Sequence, residues 1–462
     1  MSMEKSQNTV IFEKTLEEKS VQRGDVKITL NKRGEETYVK SRHPVIYGIY
    51  SKVEIPGAVF KFNLNGEITG AKGRGDSWPS SSEQLKRTAG NDWVYYSTGG
   101  YSGSYENFGE GELSEPVSFK IPSPYNEIYK ATGEYYLPNV PYETNSILGI
   151  NPFSETAVQS MVSSWYDVLR EALGSMENLP VPFERFAEQV LSNTPATLQK
   201  RAEELFEING GRVSVLPPGA RHVDYNIIPL SISEGCLYKC PFCRVKTDRT
   251  FSTKTGEEID RSIDSLRAYY GRDLVNYNAL FLGDQDALNA DKETLLWAAD
   301  RSQSKLQLKD SYMRGCSLFM FGSVDSFLSA DYSFFDRLNA AGYTSYINLG
   351  FESADQETLD YIGKPITAEK VAKSFAKMTE VNDNYGNIEI TANFLMGDNL
   401  PEGHYPSFLE LARERLDHPR GKGTVYLSPL MGGTFSRRSL FEFNQLKRLS
   451  RVPVFLYTIQ RL

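Results

Sequence analysis

Residues 233–246 read SEGCLYKCPFCRVK and hold three of the four cysteines in a chain of 462 residues. Cys236, Cys240 and Cys243 stand three and then two residues apart. On a segment that turns back on itself, this spacing points three sulfurs at one centre, and thiolates so gathered hold a metal or an iron–sulfur cluster. A closed zinc site needs four ligands. Cys316 lies far along the chain, where it reads as a buried strand cysteine, and none of the four histidines falls in the loop. A zinc site here would lack a local fourth ligand, and the spacing by itself leaves metal and cluster open.

The elements that must position these sulfurs repeat a pattern of strand, loop and helix. YNIIPLSIS is an apolar strand of the kind buried on both faces, and it runs straight into the cysteines. TGEEIDRSIDSLRAYYG follows as a helix, with Thr255 and Glu258 spaced as a capping box and Gly271 as its stop. Five further pairs continue the series: NALFLG with KETLLWAADRS, SLFMFGS with YSFFDRLNAAG, YINLGF with AEKVAKSFAKMTEV, IEITANFLMG with YPSFLELARERL, and GTVYLSPL with SLFEFNQLKRL. Six βα units joined by right-handed crossovers give a parallel sheet covered by helices, whose reactive edge is where strands run out into helices. The cysteines lie at that edge.

The first part of the chain reads differently. Residues 1–150 are expected to form a β-rich domain with Gly-rich turns, and FNLNGEITG to form a hairpin on a tight two-residue Asn-Gly turn. The Tyr/Gly/Ser-rich tract 95–108 is a loop, on the surface or facing substrate. Residues 151–215 have helical periodicity and stop at Asn-Gly-Gly, as a helical connector would. Residues 216–462 hold the βα series and a C-terminal extension.

Composition narrows the setting. An apolar fraction of 40% with 12% aromatic residues is that of a globular protein. No apolar run approaches the roughly 18 residues of a membrane span. The charged N-terminus has no signal-peptide core, so the cytoplasm is the expected compartment. A net charge of −8 supplies no overall basic field for nucleic acid. RVKTDR after the cysteines is a local basic run that more simply reads as a solvated face.

A strand, then CxxxCxxC with an aromatic residue before the last cysteine, then six βα units: over residues 222–435 the chain resembles the radical S-adenosylmethionine (SAM) superfamily. The fold class this implies is α/β, a partial (βα)6 TIM-like barrel of the radical SAM type, here preceded by the β-rich domain and the helical connector. The resemblance implies one oxygen-sensitive 4Fe-4S cluster on Cys236, Cys240 and Cys243, with its fourth iron open to the amino and carboxylate groups of SAM. Phe242 takes the aromatic position near the adenine. FLGDQDAL resembles the Gly-Gly-Glu region that holds the methionine amino group, on Gly283, Asp284 and Gln285. NLGFESADQETLDYIGK resembles the GxES segment of the Elp3-like and HemN-like branch, making Glu352 and Ser353 candidates for the ribose or carboxylate of SAM. A carboxylate suits vicinal hydroxyls because it accepts both hydrogen bonds, although alone Glu352 could equally be acidic dressing at a helix start. Asn393 and Met396 on the fifth strand, Ser323 at the third strand end and Ser428 on the sixth complete the implied cofactor contacts. Strand alternation alone would also put some polar residues there.

The implied activity is reductive cleavage of SAM to methionine and a 5′-deoxyadenosyl radical that takes hydrogen from a substrate. An electron donor such as ferredoxin or flavodoxin is implied with it. One spare cysteine is too few for auxiliary clusters, and no Asp-x-His-x-x-Gly cobalamin signature occurs. The β-rich domain is expected to cap the barrel and shape a pocket for a small-molecule or lipid-like substrate; a separate partner-binding module is the rival. A non-enzymatic iron–sulfur or zinc protein on a relic barrel, and a nucleic-acid modifying member of the superfamily, remain as alternatives.

Overall fold

Alternating β-formers between residues 19 and 97, with a short strand at 136–138 on the edge, build an antiparallel sheet. Its strands are β1 (Lys19–Arg23), β2 (Val26–Arg33), β5 (Ile49–Ile55), β6 (Ala58–Phe62), β7 (Ile68–Gly73), β8 (Glu83–Arg87), β9 (Trp93–Ser97) and β10 (Tyr136–Pro138), hydrogen-bonded in that order. β3 (Thr37–Lys40) and β4 (His43–Ile46) pair separately. The computed structural model describes residues 16–33, 37–40, 43–46, 48–76, 78–79, 83–97, 136–138, 151–213, 215–223, 227–243, 249–313, 315–430 and 437–457. The tract 98–108 and most of the basic run after the cysteines, 244–248, lie outside these residues.

The expected hairpin is β6–β7, but its turn is longer than two residues. Asn63 N–H donates to the Glu67 carbonyl and Gly66 N–H to the Asn63 carbonyl, with positive φ at Gly66 and not at Asn65. The Asn63 side chain decides this, because its Oδ1 accepts from the N–H groups of Asn65 and Glu67 and so closes an Asx turn.

Helices α1 (Thr156–Gly174) and α2 (Val181–Ser192) pack Trp165, Leu169, Phe183 and Phe186 onto Ile28, Val53, Phe60 and Phe62 of the sheet. They share the sheet's core. α3 (Pro195–Asn209) ends on Gly210 in the left-handed conformation and gives Leu198 to this core and Leu205 to the next.

The second core belongs to a parallel sheet wrapped as a partial barrel. Its strands are β11 (Ile227–Leu230), β14 (Ala279–Leu282), β15 (Ser317–Gly322), β16 (Thr344–Glu352), β17 (Ile388–Met396), β18 (Val425–Pro429) and β19 (Val454–Leu456), adjacent in chain order. β12 (Ser233–Glu234) and β13 (Ser252–Thr253) form a small ribbon beyond β11. The outer layer is α4 (Gly256–Tyr270), α5 (Lys292–Lys305), α6 (Val324–Ser329), α7 (Tyr332–Ala340), α8 (Gln356–Tyr361), α9 (Ala368–Asn384), α10 (His404–Leu409) and α11 (Arg437–Leu449). Thr255 and Glu258 form the expected capping box, and Gly271 ends α4. The sheet has one strand more than the six expected. β19 is three residues long and follows Pro453, too short for periodicity to mark it. Among the described residues no helix is long and apolar enough to cross a membrane.

The two cores meet mainly at the end of the barrel where strands begin. Before β14, Asn276 exchanges two hydrogen bonds with the backbone of Ile49, at 2.7 and 2.8 Å, and Asp273 accepts from Leu64 N–H at 3.1 Å. Arg201 of α3 pairs with Glu67 and donates to the Tyr269 carbonyl. On the other side, Asp92 in the β8–β9 turn pairs with Arg212.

Candidate functional site

The cysteine loop is closed by the β12–β13 ribbon, with Ser233 opposite Thr253 and Glu234 opposite Ser252. Gly283 at the end of β14 donates to the Leu230 carbonyl at 3.0 Å, fixing where the loop leaves the sheet. Inside the loop Tyr238 N–H reaches Cys236 Sγ at 3.4 Å and Cys243 N–H reaches the Cys240 carbonyl at 3.2 Å. The Tyr238 hydroxyl donates to Asp325 Oδ2 at 2.5 Å and accepts from Asp325 N–H at 3.1 Å, while Asp325 Oδ1 holds Lys370 at 2.6 Å. The loop is thereby pinned to the start of α6.

Cys240 is buried and Cys236 and Cys243 are half-buried; none is in a disulfide. Burial pushes the Cys240 thiol up to about 11 and raises Cys236 as well, while the nearby Lys364 ammonium pulls both the other way. Iron takes thiolates, so that positive charge favours loading. Among the described residues no three Cys, His, Asp or Glu side chains converge on one point as ligands of a single ion do. A four-iron cluster does not ask for that, because each thiolate binds its own iron.

Beneath the loop lies a carboxylate that sequence reasoning passed over. Asp286 is 2% exposed. Its Oδ1 accepts from Ser323 N–H and the Ser326 hydroxyl, both at 2.9 Å, whereas its buried Oδ2 has no hydrogen-bond partner. Burial raises its pKa. An orphaned carboxylate oxygen is a costly feature that an incoming cation would satisfy. Asp284 and Gln285, expected in this role, are half-buried at the rim of an adjoining cavity. The second aspartate of GDQDAL was the available signal.

Across the loop stands Glu352 at the end of β16, with φ +65°. Its Oε1 lies 3.5 Å from Nζ of Lys364, a buried lysine that also sits 5.5 Å from the Tyr238 ring and 5.9 Å from the Phe242 ring. Cation–π attraction and the carboxylate hold the ammonium under the cysteine loop. Gly350 makes room for this pair: a Cβ there would lie 2.7 Å from Glu352 Oε1 and 3.4 Å from Lys364 Nζ. Burial raises the Glu352 pKa, and Lys364 opposes that shift. Lys364, in the YIGK at the end of the segment already singled out, was missed because a lone lysine after a helix reads as solvent-facing.

The remaining candidates divide. Asn393 is half-buried and accepts from Asn348 Nδ2 at 3.1 Å; Asn348 Nδ2 also donates to Thr391, and its buried Oδ1 has no hydrogen-bond partner. Ser428 is half-buried beside Leu395. Ser323 caps α6, its hydroxyl accepting from Ser326 N–H at 3.1 Å. Met396 is turned away from the cavity. Strand alternation puts it on the face of Phe394, which packs on Phe408 of α10, and it is fully buried there. Ser353 is also fully buried, and its hydroxyl is engaged behind the site by His404 and Asp355.

Between α3 and the ends of β11 and β14 opens a cavity of about 310 Å³, whose lining includes Arg212, Ser231, Glu234, Arg249, Asp284 and Gln285.

Residues 230–412, from β11 to just beyond α10, match the model of the radical SAM superfamily. The matched stretch, less than half of the chain, is similar to a radical SAM domain. No curated protein matches it. Similar solved structures include the cobalamin-dependent S-adenosylmethionine radical enzyme OxsB, at 16% identity over 52% of this chain and 34% of that one, TM-score 0.34. SuiB of Streptococcus suis, bound to S-adenosylmethionine, is 10% identical over 82% of this chain and 72% of its own, TM-score 0.34. Coproporphyrinogen III oxidase (HemN) of Escherichia coli is 12% identical over 48% and 46%, TM-score 0.28. The chain spans about a third of the length of OxsB.

Proposed function

We propose that the chain is a radical SAM enzyme holding one 4Fe-4S cluster on Cys236, Cys240 and Cys243 and one SAM across the strand ends. The observation that carries this reading is the set of buried charged groups beside the cysteine loop: Asp286, whose Oδ2 has no hydrogen-bond partner, and the Lys364–Glu352 pair. Asp286 would take the ammonium of SAM, Lys364 its carboxylate and Glu352 the ribose hydroxyls, each replacing an unmet or loose contact by a charge-assisted hydrogen bond. Phe242 and Asn393 would bound the adenine. When bound and reduced, the cluster supplies the electron that cleaves SAM to methionine and a 5′-deoxyadenosyl radical for hydrogen abstraction. The protein's own part is to orient SAM and keep water out. The lining of the neighbouring cavity, rich in Arg, Glu, Asp and Gln, favours a small polar substrate over a lipid-like one. A ferredoxin- or flavodoxin-class donor would supply the electron.

The test is anaerobic reconstitution with iron and sulfide, reduction with dithionite in the presence of SAM, and chromatography for 5′-deoxyadenosine. Formation of that product by the wild type and its loss in Cys240→Ala supports the reading. A loaded cluster that neither binds SAM nor yields the product refutes it.

A further inference from the structure

The end of β16 is held in a conformation that its sequence does not favour. Pairing with β17 is one-to-one from Ser345 to Gly350 and then skips Phe351, so that Glu352 lies opposite Phe394. At Glu352 φ is +65°, and Ser353 N–H donates to the Phe351 carbonyl at 2.8 Å, closing a three-residue γ-turn over Glu352. A non-glycine residue in this region costs about 1–3 kcal/mol and persists only where its surroundings over-determine it.

What over-determines it is a relay of hydrogen bonds behind the strand. His404, 1% exposed, has Nε2 2.8 Å from the Leu395 carbonyl and Nδ1 2.8 Å from Ser353 Oγ. The carbonyl can only accept, so Nε2 carries a proton; burial disfavours a second one, and Nδ1 therefore accepts from the Ser353 hydroxyl. Ser353 Oγ accepts in turn from Asp355 N–H at 3.0 Å. Every polar atom in the relay is used, and it ties the residue after Glu352 to both β17 and α10.

We propose that His404 is a positioning residue: through Ser353 it locks Glu352 in the left-handed turn that aims its carboxylate at Lys364 and the cysteine loop, and so sets the affinity for SAM. This rests on the reading of Glu352 as a SAM contact. The histidine lies fifty-one residues from the serine it holds, and its own side chain stays behind the strand.

Four variants test this: His404→Leu, which matches the imidazole in bulk and has no acceptor; Ser353→Ala, which removes the same bond with the smallest loss of volume; Glu352→Gln; and Glu352→Gln combined with Ser353→Ala. SAM binding is measured by anaerobic calorimetry on cluster-loaded protein, and the backbone at 352 by crystal structures of the cluster-free His404→Leu and Ser353→Ala proteins. The expected result is about a tenfold weaker Kd in His404→Leu and Ser353→Ala, a double variant no worse than Glu352→Gln alone, and a φ at Glu352 that leaves the left-handed region. Multiplying effects in the double variant, or a φ that stays near +65° in either crystal structure, would overturn the proposal. If Glu352→Gln binds SAM as tightly as wild type, the reading of Glu352 fails by itself, and the crystal structures still decide whether the relay holds the turn.

Discussion

The ammonium of Lys364 and the carboxylate of Glu352 stand 3.5 Å apart under the cysteine loop, with side chains 6% and 13% exposed. A buried ion pair adds little net stability, because desolvation offsets its attraction, but removing one partner strands the other at a cost of about 3–5 kcal/mol. Lys364→Met is therefore expected to lower the melting temperature and weaken SAM binding together. Lys364→Met with Glu352→Gln should recover the melting temperature and leave binding weak. Thermal unfolding and anaerobic calorimetry on the two variants separate these effects; recovery of both would assign the pair a structural role only.

Asp286→Asn keeps an acceptor for Ser323 N–H and Ser326 and removes the charge whose second oxygen is unmatched. A hydrogen bond to a charged group contributes about 1.5–3 kcal/mol, so the SAM Kd should rise about ten- to a hundredfold with little change in melting temperature. An unchanged Kd would return the ammonium-binding role to Asp284 or Gln285.

Asn276→Ala tests the joint between the sheet and the barrel. It leaves the N–H and carbonyl of Ile49, which is 2% exposed, without their partner. Each unmet buried group costs about 1–3 kcal/mol. The variant should unfold at lower denaturant and release the β1–β9 region to protease before the barrel; one concerted loss of both would show that the two cores do not separate.

Asp273 at the same joint gives a pH dependence. Burial pushes its carboxyl up from 3.8 to about 7, against the hydrogen bonds from Leu64 N–H and Asn276. The folded pKa is above the unfolded one, so the folded state holds the proton over that interval and stability falls as pH rises from about 4 to 7. Asp273→Asn should flatten this slope and gain stability relative to wild type at neutral pH. Urea titrations of both proteins at about pH 5 and pH 8 measure the difference; equal slopes would mean that the carboxyl is ionised throughout.

The amino-acid sequence by itself determined what is local. Thr255 and Glu258 three apart, Gly210 after a helical run and a buried strand running into three cysteines each act within a few residues, so spacing suffices to read them. The alternation of strands and helices was enough for the barrel, because crossover handedness leaves few topologies. What only the tertiary structure decided is which side chains meet. Tyr238 finds Asp325 across 87 positions, Ser353 finds His404 across 51, and Asn276 finds Ile49 across 227. Glu352 and Lys364 were twelve apart in plain view, yet a strand end and a helix turn had to fold against each other before their charges formed a pair. Met396 was given the wrong face although it stands three residues from Asn393 on a regular strand, whose alternation turns the two to opposite sides. Burial, which decides whether a polar atom must find a partner, is a property of the packed barrel and is carried by no single stretch of its sequence.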